Sequence, residues 1–302
     1  MSRISKAFEN GKAFITFITC GDPDIETTKR VVLSAIDNGA DMVELGIPFS
    51  DPTAEGPVIQ AANARALAGG VTTDKIFDMV RELRKETDAP LLFMTYANVV
   101  YSYNRTESDG ANAESGAFEH EQTGRAGTND VTGTCRQEGT APGEVASGTI
   151  GFMRRCAEVG IDGIILPDVP FEEKEEFDTV CREYGVDLIS LIAPTSEARI
   201  ADIAAEASGF IYVVSSLGVT GVRSEISTDI DHMVSLVRAA TDVPCAVGFG
   251  ISSPDQAAEM AAKSDGAIVG SAIMKIVAKY GKDAPEKVGE YVKEMADAVH
   301  RC

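Results

Sequence analysis

Eight short apolar runs, many of them β-branched, recur down this chain with helical periodicity between them, and that alternation is the strongest constraint on how it can fold. The runs lie at 13–19, 42–45, 90–96, 163–167, 187–192, 210–214, 244–249 and 266–269. Segments of 3.6-residue periodicity lie at 25–38, 59–67, 74–85, 152–159, 172–184, 197–207, 230–240 and 254–262. Runs that are apolar throughout, not at every second position, belong to strands covered on both faces, which is the parallel arrangement. Eight such units over roughly 250 residues fit a closed α/β fold, a single (β/α)8 TIM barrel, better than an open doubly wound sheet. An extra N-terminal helix at 2–9 is expected to plug the barrel floor, and a C-terminal helix at 285–300 to pack outside.

One segment breaks the rhythm. Residues 104–147 are rich in Gly, Thr, Ala and acidic side chains, with Phe118, Val131 and Val145 nearly their only large apolar groups. Such a stretch buries too little surface to fold compactly, so it reads as a disordered insertion after strand three of one domain spanning 1–302. Loops leaving the C-terminal ends of barrel strands surround the active site, so its position matters.

Charge narrows the partners. With 47 acidic against 27 basic residues the formal charge is −20, a field that repels nucleic acid and anionic membranes. A small phosphorylated metabolite stays compatible, because backbone N–H groups at helix N-termini hold phosphate without a basic patch. The six cysteines show no CxxC pair and read as reduced thiols of a cytoplasmic protein. The N-terminal residues lack the apolar core of a signal peptide, and no apolar run reaches membrane-spanning length. Three histidines, none within helical reach of another, argue against a His-based metal centre or catalytic triad.

The stretch Glu44-Leu-Gly-Ile-Pro-Phe-Ser-Asp-Pro-Thr-Ala-Glu-Gly-Pro57 sets one carboxylate at the end of an apolar strand and a second in the following loop. In a strand, Met42 and Glu44 share a face, so Glu44 points where a core residue normally would. A buried carboxylate without a partner has a raised pKa, a condition commoner at functional sites than elsewhere. Three glycine-bearing signatures follow the late strands, where barrels build phosphate sites: Ser215-Ser-Leu-Gly-Val-Thr-Gly221, Gly248-Phe-Gly-Ile-Ser-Ser253 and Gly270-Ser-Ala-Ile273. They make Thr220, Gly221, Gly250, Gly270 and Ser271 candidate phosphate contacts, with Ser271 where a helix should begin. Phe17 and Phe249 are candidates to line an apolar pocket, and Tyr96 and Tyr212 lie at the end of strand three and within strand six. Asp22 and Asp51, in Gly-Asp-Pro and Ser-Asp-Pro turns, read as caps of their own backbone.

Together these pieces resemble the α subunit of tryptophan synthase. The matching motifs are Phe14-Ile-Thr-Phe-Ile-Thr-Cys-Gly-Asp-Pro23, Glu44-Leu-Gly-Ile-Pro-Phe-Ser-Asp-Pro52, Tyr96-Ala-Asn98, Pro167-Asp-Val-Pro170, Gly218-Val-Thr-Gly221, Gly248-Phe-Gly-Ile251 and Gly270-Ser-Ala272. Their order and spacing cover essentially the whole chain outside the insertion. The resemblance implies a lyase that cleaves indole-3-glycerol phosphate to indole and glyceraldehyde 3-phosphate by a retro-aldol reaction. It implies no cofactor on this chain, and a β-subunit partner carrying pyridoxal phosphate in an α2β2 heterotetramer. It also implies that Glu44 carries proton transfers and that Glu55 is the second carboxylate, accepting from the indole N–H. Two positions depart from the family's pattern: Glu55 stands where aspartate is most familiar, and Ser216 where arginine is often found. A flavin-dependent oxidoreductase and a non-catalytic phosphate-binding regulatory barrel are the alternative readings of the same fold.

Overall fold

The computed structural model describes residues 2–104, 147–214, 229–248 and 250–302. Nine strand segments form one parallel sheet: β1 (Ala13–Thr19), β2 (Met42–Gly46), β3 (Leu91–Met94), β4 (Gly163–Ile165), β5 (Asp187–Leu188), β6 (Ser190–Ile192), β7 (Ile211–Val214), β8 (Cys245–Gly248) and β9 (Gly266–Val269). Their order is β5-β4-β3-β2-β1-β9-β8-β7-β6, and β5 and β6 are two halves of one run interrupted only at Ile189. The first half pairs with β4 and the second with β7, so this run joins the two ends of the sheet and closes the barrel. The expected fifth strand is therefore split, and expected strands six to eight are β7 to β9.

The helices follow the expected alternation. Pro57–Ala68 and Thr73–Leu83 both lie between β2 and β3, as do the periodic segments 59–67 and 74–85, and Ser271–Tyr280, which completes the eighth unit, begins at the serine where a helix is expected. Helix starts are written locally: Asp24, Thr72, Ser196, Asp229 and Ser253 each accept a backbone N–H of the first turn. The N-terminal helix is one turn, Arg3–Lys6, shorter than the expected 2–9. It still seals the floor: Ile4 is wholly buried, with its Cδ1 close to where a Cβ on Gly163 would stand, and Arg3 pairs with Asp162 at 3.0 Å. Ala284–Val299 packs outside the barrel on helices Ile25–Asp37 and Pro254–Lys263.

Register decides which side chains face the barrel interior, because laterally paired residues of parallel strands share a face. Phe17 pairs with Glu44 and Glu44 with Leu92, while Tyr212 pairs with Ala246 and Val214 with Gly248. Glu44 thus enters the interior between apolar neighbours, as its place in the strand implied. The 104–147 insertion lies outside the described residues except at its two ends.

Candidate active site

Two carboxylates, Glu44 and Glu55, are the candidates for acid–base chemistry. Glu44 projects from the middle of β2, is wholly buried, and among the described residues neither carboxylate oxygen has a hydrogen-bond partner. Burial alone pushes its pKa up to about 8. Its charge is felt by the buried Tyr212 hydroxyl, whose pKa is raised chiefly by burial and further by Glu44. Glu44 does not line either cavity of the barrel mouth.

Glu55 sits one residue before Gly56, the N-cap of helix Pro57–Ala68, and is 5% exposed. Its Oε2 accepts from Nδ2 of Asn63 at 2.7 Å, and its carbonyl oxygen accepts from Nε2 of Gln60 at 2.8 Å. Burial pushes its pKa up and the Asn63 donor pulls it back, leaving it at about 7.

Glu55 lines a small cavity of about 40 Å³ with Phe17, Ile59, Met94, Tyr212, Gly250, Ile251, Ile268, Gly270 and Ser271. Met94 and Tyr212 also border a wider cavity of about 410 Å³, walled by Leu166, Pro167, Leu191, Pro194 and Val214 among others. The small cavity is polar at two places. At one is the Glu55 carboxylate; at the other is the start of helix Ser271–Tyr280, whose N-cap Gly270 makes no side-chain cap. The first N–H groups of such a helix have no intrahelical acceptor and suit an anion. Gly250 contributes backbone at φ +85°, a conformation that excludes most side chains.

Glycine also makes room for the aromatic walls. A Cβ on Gly46 would stand 2.5 Å from Cζ of Phe17, and one on Gly248 would collide with the Tyr212 hydroxyl. Both rings therefore lie over backbone that carries no side chain, which lets them reach across the barrel mouth.

The remaining expected residues divide clearly. Phe17, Tyr212, Gly250, Gly270 and Ser271 meet Glu55 on one cavity wall. Tyr96 does not line either cavity; its hydroxyl accepts from the Ala54 N–H at 3.1 Å and its ring lies 5.1 Å from that of Phe49, so it props the loop that carries Glu55. Thr220, Gly221, Phe249 and Ser216 lie outside the described residues. Asp22 does not cap its own turn: both its oxygens are held by Arg65 at 2.9 and 2.6 Å, and the capping aspartate there is Asp24. Asp51 is exposed and accepts from the Ser50 hydroxyl at 2.7 Å.

Sequence reasoning passed over Asn63, Ile59, Met94, Ile251 and Ile268. For Asn63 a signal existed: it follows Ile59 by four residues and precedes Ala66 by three, a polar residue on the buried face of its helix.

Comparison with known proteins supplies the family. The family model described as tryptophan synthase alpha chain matches residues 4–117 and 145–300. The chain is 42% identical over 299 residues to the tryptophan synthase alpha chain of Lacticaseibacillus casei, covering 99% of this chain and 96% of that one. It is 40% identical to that of Lactiplantibacillus plantarum, covering 99% and 97%. Among solved structures, the alpha chain from Legionella pneumophila is similar with a TM-score of 0.75 and 31% identity, over 99% of this chain and 97% of that chain. The tryptophan synthase complex from Pyrococcus furiosus gives a TM-score of 0.73 and 29% identity, over 94% and 98%.

Proposed function

The chain belongs to the tryptophan synthase alpha chain family, and from that premise we propose that Glu44 and Glu55 divide the work of its lyase reaction on indole-3-glycerol phosphate. The enzyme releases indole and glyceraldehyde 3-phosphate in the biosynthesis of tryptophan. The observation that carries the assignment of roles is the single cavity wall on which Glu55, two aromatic rings and the open start of helix Ser271–Tyr280 meet.

The bond between the indole ring and its glycerol side chain breaks only when the ring can accept the bonding electrons. Protonation of the ring carbon creates that electron sink, and removal of the proton from the neighbouring glycerol hydroxyl lets the electrons of the O–H bond form the carbonyl. Glu44, with its pKa pushed up to about 8, is protonated at neutral pH and serves as the acid. The carboxylate it leaves then takes the hydroxyl proton, so Glu44 ends the cycle as it began. Among the described residues the carboxyl group has no hydrogen-bond partner, so it gives up no bond to them in turning to the substrate.

Glu55 in its ionised form accepts from the ring N–H and offsets the positive charge that protonation places on the ring. The Asn63 donor favours that ionised form. Gly250, Gly270 and Ser271 hold the phosphate, with Thr220 and Gly221 assigned to the same end, so that binding far from the reacting atoms positions the bond to be broken. Phe17, Phe249 and Tyr212 are assigned to the walls around the indole ring, and Tyr96 to support of the Glu55 loop.

The partner is a tryptophan synthase β subunit in an α2β2 heterotetramer. Pyridoxal phosphate belongs to that partner, which condenses the indole with serine; this chain works without a cofactor. We read residues 1–302 as one barrel domain interrupted at 104–147, working in the cytoplasm; among the described residues no helix is long and apolar enough to cross a membrane.

The test is indole release from indole-3-glycerol phosphate by wild type and Glu44→Gln, each with and without the β subunit. The expected result is turnover that rises with the β subunit and falls by at least a hundredfold in Glu44→Gln. Unchanged turnover in a folded Glu44→Gln protein would remove Glu44 from the mechanism.

A further inference from the structure

Glu55 hangs on a loop, and its backbone sits before the helix, not within it. Two of its polar atoms are nevertheless held, and both donors come from the same helix, Pro57–Ala68. Gln60 holds its carbonyl oxygen at 2.8 Å and Asn63 holds Oε2 at 2.7 Å. Asn63 is 3% exposed and stands on the helix face that also buries Ile59, Ala62 and Ala66. A buried amide is costly unless bonded, and this one gives an N–H to a carboxylate that is itself buried. The helix is in turn fastened to the loop after β1 by Arg65, which grips both oxygens of Asp22. A chain of contacts thus runs from the β1 loop through a rigid helix to one oxygen of Glu55. Among the described residues the other oxygen, Oε1, accepts no hydrogen bond.

We propose that Asn63 is a positioning residue: it ties down Oε2 of Glu55 and so leaves Oε1 as the oxygen presented to the ring N–H of the substrate. This rests on the reading that Glu55 is the second carboxylate of the reaction. Asn63 touches no reacting atom; it acts through Glu55 alone. An apolar residue at 63 would leave Glu55 free to rotate and would remove the one side-chain donor among the described residues that favours its charge. An aspartate there would set a second carboxylate against the first, and the pair would share a proton in place of holding an anion ready.

The experiment compares wild type, Asn63→Leu, Asn63→Ser and Glu55→Gln, with folding checked by far-UV circular dichroism. Two quantities are read: the titration midpoint of Glu55, from carbon-13 NMR of protein labelled at the glutamate carboxyl carbon with the signal assigned by its loss in Glu55→Gln, and the pH profile of kcat. In Asn63→Leu the midpoint should rise by about one pH unit. The acid limb of kcat should move up with it, so that turnover drops about tenfold at pH 6.5 and recovers towards wild type near pH 8. Asn63→Ser, whose hydroxyl is still a donor, tests the same point should the leucine variant not fold, and should fall between the two. A merely structural role would lower turnover equally at every pH. An unshifted midpoint in a folded Asn63→Leu or Asn63→Ser protein overturns the proposal. Wild-type turnover in Glu55→Gln removes the catalytic reading of Glu55, while the NMR midpoint still decides whether Asn63 governs that carboxylate.

Discussion

Replacing Glu44 by Gln should make the protein more stable as well as inactive, and the gain should depend on pH in a defined way. The side chain is wholly buried without a hydrogen-bond partner among the described residues, and burial pushes its pKa up to about 8 against 4.5 for an ordinary glutamate. The folded state therefore keeps a proton that the unfolded chain loses. Stability contributed by that proton is fully present below pH 4.5 and is lost as pH rises through about 8. Between those limits each pH unit removes about 1.4 kcal/mol, so the cost reaches about 3 kcal/mol at pH 7 and levels off near 5 kcal/mol above pH 8. Glutamine fills the same volume with an amide that does not titrate, so the penalty of burying an unbonded polar group nearly cancels in the comparison. Other titrating groups, Glu55 among them, are common to both proteins and drop out of the difference to the extent that they do not couple to Glu44. Urea unfolding followed by far-UV circular dichroism at pH 5, 6, 7 and 8 measures the effect. The stability of Glu44→Gln relative to wild type should climb steadily across that range. Parallel stability curves for the two proteins would refute the reasoning, because they would mean that Glu44 carries no raised pKa in the fold.

Three other outcomes are expected. The kcat profile of the wild type should be a narrow bell, its acid limb near pH 7 from ionisation of Glu55 and its alkaline limb near pH 8 from loss of the Glu44 proton; a flat profile from pH 6 to 9 would contradict both assignments. Gly248→Ala drives a methyl group into the Tyr212 ring, with Cε1 2.6 Å from the new carbon, and should cost about 1–3 kcal/mol and raise KM; thermal unfolding and substrate kinetics unchanged from wild type would mean that the ring swings aside freely. Arg65→Ala strips the buried Asp22 carboxylate of its bidentate partner, and since the arginine side chain is 40% exposed the expected loss is about 2 kcal/mol, below that of a fully buried pair; urea unfolding reads it, and no loss of stability would show that water replaces the guanidinium without penalty.

The strands were legible because each had to bury both faces. Runs such as Ala13–Thr19 and Gly266–Val269 carry that demand in their own composition, and their observed bounds coincide with the expected ones. The helices were legible from periodicity and caps, but the periodicity could not say which helix served which strand. Two of the eight periodic segments lay between the second and third strands, and the helix that completes the eighth unit, Ser271–Tyr280, was signalled by the position of Ser271 and not by periodicity. The N-terminal helix was overestimated because apolar Ile4 and Phe8 are explained by packing on the floor, where Phe8 lies 5.9 Å from Phe210, with no need for helix beyond Lys6.

At the site, the local chain pointed to Glu44 because a charge in an apolar strand is conspicuous one residue at a time. It pointed to Gly250, Gly270 and Ser271, which do line the cavity beside Glu55, because a turn that frees backbone N–H groups is built from adjacent residues. By itself, then, the sequence determined a closed parallel barrel, a carboxylate aimed into its interior and glycine-bearing turns after the late strands, since each of these follows from the pattern of a few neighbours. Only the tertiary structure decided that Asp187–Leu188 and Ser190–Ile192 face different partners to close the sheet, that Arg65 of the helix after β2 takes Asp22 of the loop after β1, that Tyr96 supports a loop instead of lining a cavity, and that Asn63 holds Glu55. The physical reason is common to all four: hydrogen bonds and ion pairs are satisfied by whichever groups the closed barrel brings within about 3 Å, and separation along the chain carries no record of that.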